Sequence, residues 1–168
     1  MKKIAIALLA FCLSSQFDVT AQKKFGHIDA AGLVESMPEK KKAQSEMETY
    51  AKGLQEQLRI MSSEFDKKYQ DYVAQEANMT DLVKQTKAKE LEDLQNRIKD
   101  FQTKAQEDIA KKEQDLMAPI IDKAKKAIEA VAKEKGINYV IDSSAGLLLV
   151  KDESDDILSA VKKHLNIQ

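Results

Sequence analysis

Apolar residues return at steps of three or four along residues 39–75, the spacing that keeps side chains on one face of a helix. From Glu39 to Ala118 the chain has no proline and a single glycine, Gly53. We therefore predict a first long helix over residues 39–75. Its apolar face consists of Ala43, Met47, Tyr50, Leu54, Leu58, Met61, Phe65, Tyr69 and Tyr72.

A second apolar face with the same spacing predicts a helix that returns beside the first. It consists of Leu91, Leu94, Ile98, Phe101, Ala105, Ile109, Leu116 and Ile120. Residues 77–81 are the predicted tip, where Thr80 can cap the returning helix. Two apolar faces of similar length predict an antiparallel helical hairpin, the arm. Pro119 is expected to kink or restart the second helix at the base of the arm.

Short segments at both ends of the arm predict a small β-containing body. Residues 24–28 alternate between polar and apolar and predict a strand, followed by a helical turn over residues 30–37. After Gly136, which is expected to end the long helix in a left-handed conformation, residues 137–142 and 147–150 predict a β-hairpin. An acidic stretch over residues 152–156 then opens a last helix.

The predicted fold is α+β and mostly α, a long antiparallel hairpin arm on a small β body. A single chain supplies too few strands to close a sheet, so we expect the strand edges to pair between subunits. The predicted divisions are a signal peptide (1–21), a strand and turn (22–38), the arm (39–118) and the rest of the body (119–168).

The first residues have the pattern of an export signal. Lys2 and Lys3 precede an apolar run of about ten residues, too short to span a bilayer, which takes ~20. Small residues then precede a predicted cut between Ala21 and Gln22. The only cysteine, Cys12, falls in the segment removed. We expect an exported protein without disulfides.

Composition excludes several classes of function. Charged residues make up 33% and aromatic residues 5%, with no Trp, which is typical of exposed helices rather than of a ligand-lined core. The formal net charge of -1 gives no electrostatic case for nucleic acid. His27 and His164 lie far apart and the glycines are isolated, so we expect no metal, no cofactor and no enzyme activity. Lys40, Lys41 and Lys42 could make weak contact with a membrane surface.

Several apolar arm residues have two interpretations. They can seal the seam between the two helices, or they can line a cavity that holds apolar clients, for which flexible methionine is suited. Residues outside the apolar face fit the second interpretation better. The candidate client-binding residues are Ile60, Met61, Phe65, Tyr69, Tyr72, Val73, Met79 and Val83.

Several sequence stretches together resemble the Skp/OmpH family of periplasmic chaperones, over essentially the whole mature chain. The stretch 127–136 running into 139–142 is the most specific of them. The others are residues 24–29, 33–38, 119–121 and 156–157. The resemblance implies a homotrimer whose subunits pool their strands in one body, with three arms around a cavity. It also implies an ATP-independent holdase for unfolded outer-membrane β-barrel proteins.

The charge of the arm departs from that family, whose well-known members have strongly basic arms. Residues 39–76 contain seven Lys or Arg against eight Asp or Glu, and residues 81–115 contain eight against nine. We therefore expect client capture to rest more on many weak apolar contacts than on charge attraction to acidic clients or to lipopolysaccharide. A structural or tethering coiled-coil protein of the envelope is the main alternative. A prefoldin-like subunit shares the plan but belongs in the cytosol, and the export signal argues against it.

Overall fold

A computed structural model describes residues 23–167. The expected signal peptide, with Ala21 and Gln22 at its cut, lies outside the described residues. The fold is α+β and mostly α, as predicted. Its elements in chain order are β1 (Phe25–Ile28), α1 (Ala30–Ser36), α2 (Pro38–Gln75), a 3-10 turn (Glu76–Asn78), α3 (Asp81–Lys135), β2 (Tyr139–Asp142), a second 3-10 turn (Glu153–Asp155) and α4 (Leu158–His164).

The arm is the hairpin of α2 and α3. Pro38 occupies the first turn of α2, where its missing N–H leaves no hydrogen bond unmade. With 38 residues, α2 extends for about 57 Å. At the far end the Thr80 side chain accepts a hydrogen bond from the backbone N–H of Val83 at 3.4 Å, which caps α3 as predicted.

Helix α3 continues through Pro119 for 55 residues in all, so it does not restart there. The residues just beyond the proline explain why. Ile120 and Ala124 are buried in the body, which holds the following turns of the helix in place. The helix ends at Gly136, whose φ of 67° is left-handed as predicted.

The sheet of the body differs from the prediction. Strand β2 pairs in parallel with β1, in a register that matches Phe25 with Tyr139 and Ile28 with Asp142. The predicted hairpin between residues 137–142 and 147–150 is wrong, because residues 147–150 form no strand. The return of α3 to the body brings β2 beside β1, which satisfies the hydrogen bonds of one edge of β2 without a hairpin. Residues 147–150 do not pair with the other edge.

The apolar core lies in the body and joins both ends of the described chain. It is built from β1, α1, the start of α2, the last turns of α3, and α4, with Ile28, Leu33, Met37 and Val161 almost wholly enclosed. His27 is also buried. Its Nε2 donates a hydrogen bond to the backbone oxygen of Asp152 at 2.8 Å, which ties the acidic turn to β1. The arm is therefore anchored at one end only.

Two glycines in contrasting settings test this description. Replacing Gly136 with alanine should lower the free energy of unfolding by about 1 kcal/mol, because a side chain is strained at its left-handed φ. Gly53→Ala is the matched control. Its added β-carbon meets no atom within 4 Å, and alanine should stabilise the helix by about 0.5–1 kcal/mol. Urea titration followed by circular dichroism at one protein concentration measures the free energy of unfolding of both variants. Equal losses of stability would contradict the left-handed conformation of Gly136 and the helical conformation of Gly53.

Candidate functional site

The seam of the arm is an apolar contact between α2 and α3. Met61, only 8% exposed, and Leu94 are its most buried members, and Leu58, Phe65 and Ile98 are half-buried. This layer is separate from the core of the body. The outer arm is therefore held together by its own narrow seam.

Polar contacts between the two helices occur near the base of the arm. The Lys112 ammonium forms an ion pair with the Glu46 carboxylate, and the Lys123 ammonium forms one with the Glu39 carboxylate. These side chains are partly exposed, so each pair stabilises the arm by about 1 kcal/mol or less. Within residues 23–167, all other ion pairs join residues three or four apart on one helix.

Exposed apolar side chains are concentrated at the other end of the arm, in residues 60–83, here called the distal segment. Across residues 39–118, each strongly exposed large apolar residue lies in this segment. They are Ile60, Tyr69, Val73, Leu82 and Val83. Leu82 is the most exposed of them at 74%. The arm thus has a closed base and an apolar, solvent-facing end.

The candidate residues fall into three groups. Met61 is buried in the seam. Phe65, Tyr72 and Met79 are half-buried, whereas Ile60, Tyr69, Val73 and Val83 are exposed. The distal segment therefore contains every candidate, but only part of the set faces solvent.

Two pairs of candidates lie close together. The rings of Phe65 and Tyr69 stack with centroids 6.2 Å apart, so Tyr69 extends the edge of the seam into solvent. Tyr72 and Met79 line one crevice between α2 and α3, with Leu91 on its other side. The first pair extends the apolar seam, whereas charged and amide side chains of both helices also line the crevice of the second pair.

Leu82 is an exposed apolar residue that the sequence pattern did not predict as a candidate, because it belongs to neither apolar face. The sequence does contain a signal for its exposure, since Leu82 and Val83 are consecutive apolar residues at the start of a helix. Successive helical residues point about 100° apart, so both cannot enter the same seam. One of the two must face solvent.

The hydroxyl of Tyr72 is held in its neutral form. Loss of hydration and the nearby Glu76 carboxylate, which accepts a hydrogen bond from the hydroxyl at 3.4 Å, raise the pKa of Tyr72. A neutral phenol presents an apolar ring with one polar atom. Tyr72 therefore adds apolar surface to the crevice and no charge at neutral pH.

A second exposed apolar surface lies on the body. Phe25 and Tyr139, paired across the two strands, stack with centroids 5.3 Å apart and face solvent beside Ile141. In the loop after β2, Leu147 and Val150 are largely exposed and Leu149 is 96% exposed. A single subunit leaves this surface uncovered.

Among residues 23–167, no group of three His, Cys, Asp or Glu side chains could hold a metal ion. None of the helices in this range has both the length and the apolar character needed to cross a bilayer. Of the basic residues at the start of α2, Lys40 contacts the Met117 sulfur at 3.8 Å, whereas Lys41 and Lys42 are exposed.

A pair of truncations separates the seam from the free surface. Met61→Ala should destabilise the outer arm by about 2 kcal/mol, because it opens a cavity in a seam with few other contacts. Leu82→Ala should change stability by less than about 0.5 kcal/mol, because its side chain already faces water. Hydrogen exchange of arm peptides measures the local stability. Equal destabilisation by the two variants would show that Leu82 also packs.

Comparison with known proteins agrees with this architecture. A family model for outer membrane protein (OmpH-like) matches residues 24–165. The chaperone protein Skp of Pectobacterium atrosepticum is 25% identical over 168 residues, which cover 96% of this chain and all of that protein. The crystal structure of an OmpH-like outer membrane chaperone from Caulobacter crescentus has a TM-score of 0.77 at 15% identity, over 86% of this chain and 84% of that one. This chain belongs to the OmpH-like family, as the sequence resemblance predicted.

Proposed function

We propose that this protein is an ATP-independent holdase that binds unfolded outer-membrane β-barrel proteins in the periplasm and prevents their aggregation. The observation that carries the proposal is the distal segment, where exposed apolar side chains are concentrated on an arm that is closed at its base. Membership of a chaperone family supports it. The proposed function needs neither catalysis nor a cofactor.

The proposed holdase is a homotrimer with the client in a cavity between three arms. The exposed apolar surface of the body supports this assembly. Leu147, Leu149 and Val150 follow β2, whose outer edge is not paired with a strand among residues 23–167 and can accept a strand from another subunit. Covering apolar surface by assembly is a common solution for a small body.

Three arms allow weak contacts to hold a client. Each distal segment offers a few exposed apolar side chains, and one such contact is weak. When one client touches several arms, the first contact raises the effective concentration of the next, so the combined affinity can exceed each one by 10² or more. Because no contact needs a fixed partner, such a surface suits clients of varied sequence.

Export and surface contacts complete the proposal. Lys2 and Lys3, followed by an apolar run, support export with cleavage between Ala21 and Gln22. Lys41 and Lys42 are free to make weak contact with an anionic membrane surface at the base of the arm. No role in nucleic acid binding is proposed, because the charges of the chain nearly balance.

Light scattering coupled to size exclusion tests the function on the mature chain, residues 22–168. We expect a trimer whose mass rises by one client when a β-barrel protein is diluted into it from urea, with the client kept soluble. A trimer that leaves the client to aggregate would favour the structural or tethering alternative. A monomer that leaves the client to aggregate would refute both the trimeric assembly and the holdase function.

Two charge substitutions distinguish the body from the arm. Leu149→Lys should disrupt the trimer, because it places a charge on the apolar surface that the other subunits are proposed to cover. Leu82→Lys, at an equally apolar but distal position, should leave the trimer intact and weaken client retention. If Leu82→Lys disrupted the trimer and Leu149→Lys did not, the proposed roles of the body in assembly and of the arm in client retention would be contradicted.

A further inference from the structure

The outermost part of the distal segment has an uneven charge. Residues 69–83, here called the arm end, contain Asp71, Glu76 and Asp81 but no lysine or arginine. All three carboxylates are exposed. Exposed Tyr69, Val73 and Leu82 lie among them along the chain. Apolar contact area and negative charge therefore occupy the same short surface.

Nothing within residues 23–167 neutralises these carboxylates by an ion pair within 4.0 Å. Each ion pair of that range lies elsewhere. The neighbouring lysines of α3 have other partners, since Lys87 pairs with Glu90 at 3.3 Å and Lys89 with Asp93 at 3.6 Å. Among the described residues, no ion pair therefore ties these three carboxylates to their helix neighbours.

Three further cations flank the arm end and reduce its charge without reversing it. Lys67 is exposed, Lys68 lines the same crevice as Asp71, and Lys84 is half-buried on the first turn of α3. Residues 64–84 contain five Asp or Glu, all exposed, against these three lysines, so an excess of negative charge remains. Exposed charges interact weakly and are screened by salt, so the excess sets a preference rather than the affinity itself.

We propose that the arm end prefers unfolded polypeptide segments in which apolar residues are interspersed with lysine or arginine. The inference rests on the proposed holdase function and specifies which client segments the arms engage first. Apolar contacts with Tyr69, Val73 and Leu82 supply the affinity, and the carboxylates select the charge of the segment. The same field repels anionic lipid headgroups, so a lipid surface is disfavoured as the occupant.

Three peptides of equal length and equal apolar content test the preference. Their polar positions carry lysine, glutamate or serine, and binding to the full mature protein is measured by fluorescence anisotropy. At low salt the lysine peptide should bind about fivefold more tightly than the glutamate peptide, and the ratio should shrink at high salt. Equal affinities for the two charged peptides would overturn the inference.

Matched double variants assign the preference to the arm end. Asp71→Asn with Glu76→Gln should reduce the ratio about threefold and leave serine-peptide binding unchanged. Asp100→Asn with Glu107→Gln removes the same charges from exposed positions of α3 outside the distal segment and should leave the ratio unchanged. An equal reduction of the affinity ratio in both double variants would mean that the overall charge of the protein, and not the charge of the arm end, sets the preference.

The serine peptide separates this inference from the function on which it rests. If it binds while charge has no effect, the holdase stands and the inference fails. If none of the peptides binds and clients aggregate, the function itself fails. Tight binding of anionic phospholipid vesicles that Leu82→Lys increases and Leu82→Ser abolishes would make lipid the occupant and overturn the inference.

Discussion

The parallel pairing of β1 with β2 is the contact on which the rest of the structure depends. It joins Gly26 to Val140 and Phe25 to Tyr139, residues more than a hundred positions apart. Everything between them must leave the body and return, and two antiparallel helices of similar length do so. The pairing is extended at its start, where Lys24 and Asn138 exchange hydrogen bonds. Without this closure the arm would have no fixed base.

The arm changes in character from base to end. Near the body, α2 and α3 are linked by the pairs Glu39–Lys123 and Glu46–Lys112, and the start of α2 shares the core with the last turns of α3. Farther out, a seam with Met61 and Leu94 at its centre remains. At the end, apolar side chains face water. This order supports two separate roles, in which the base fixes the position of the arm and the distal end contacts the client.

The sequence predicted the parts that depend on local rules. Pro38, Thr80 and Gly136 act at helix ends through their own backbone or side-chain chemistry, so each could be recognised without tertiary information. The sheet could not be recognised in this way. Residues 147–150 have a strand-like composition, yet β2 pairs with β1, more than a hundred residues away in the sequence, and not with its neighbour in the chain. The choice between seam and surface at Met61 and Tyr69 depends on small rotations of two helices, which spacing alone does not define.

Hydrogen exchange with mass spectrometry, on the mature protein with and without an unfolded β-barrel client, tests most directly the claim that the outer arm holds the client. The account predicts that peptides covering residues 60–83 gain protection when the client is added. Peptides covering β1 and β2, which are already closed, should not change. Protection gained at the body while the distal segment exchanges as before would contradict the account.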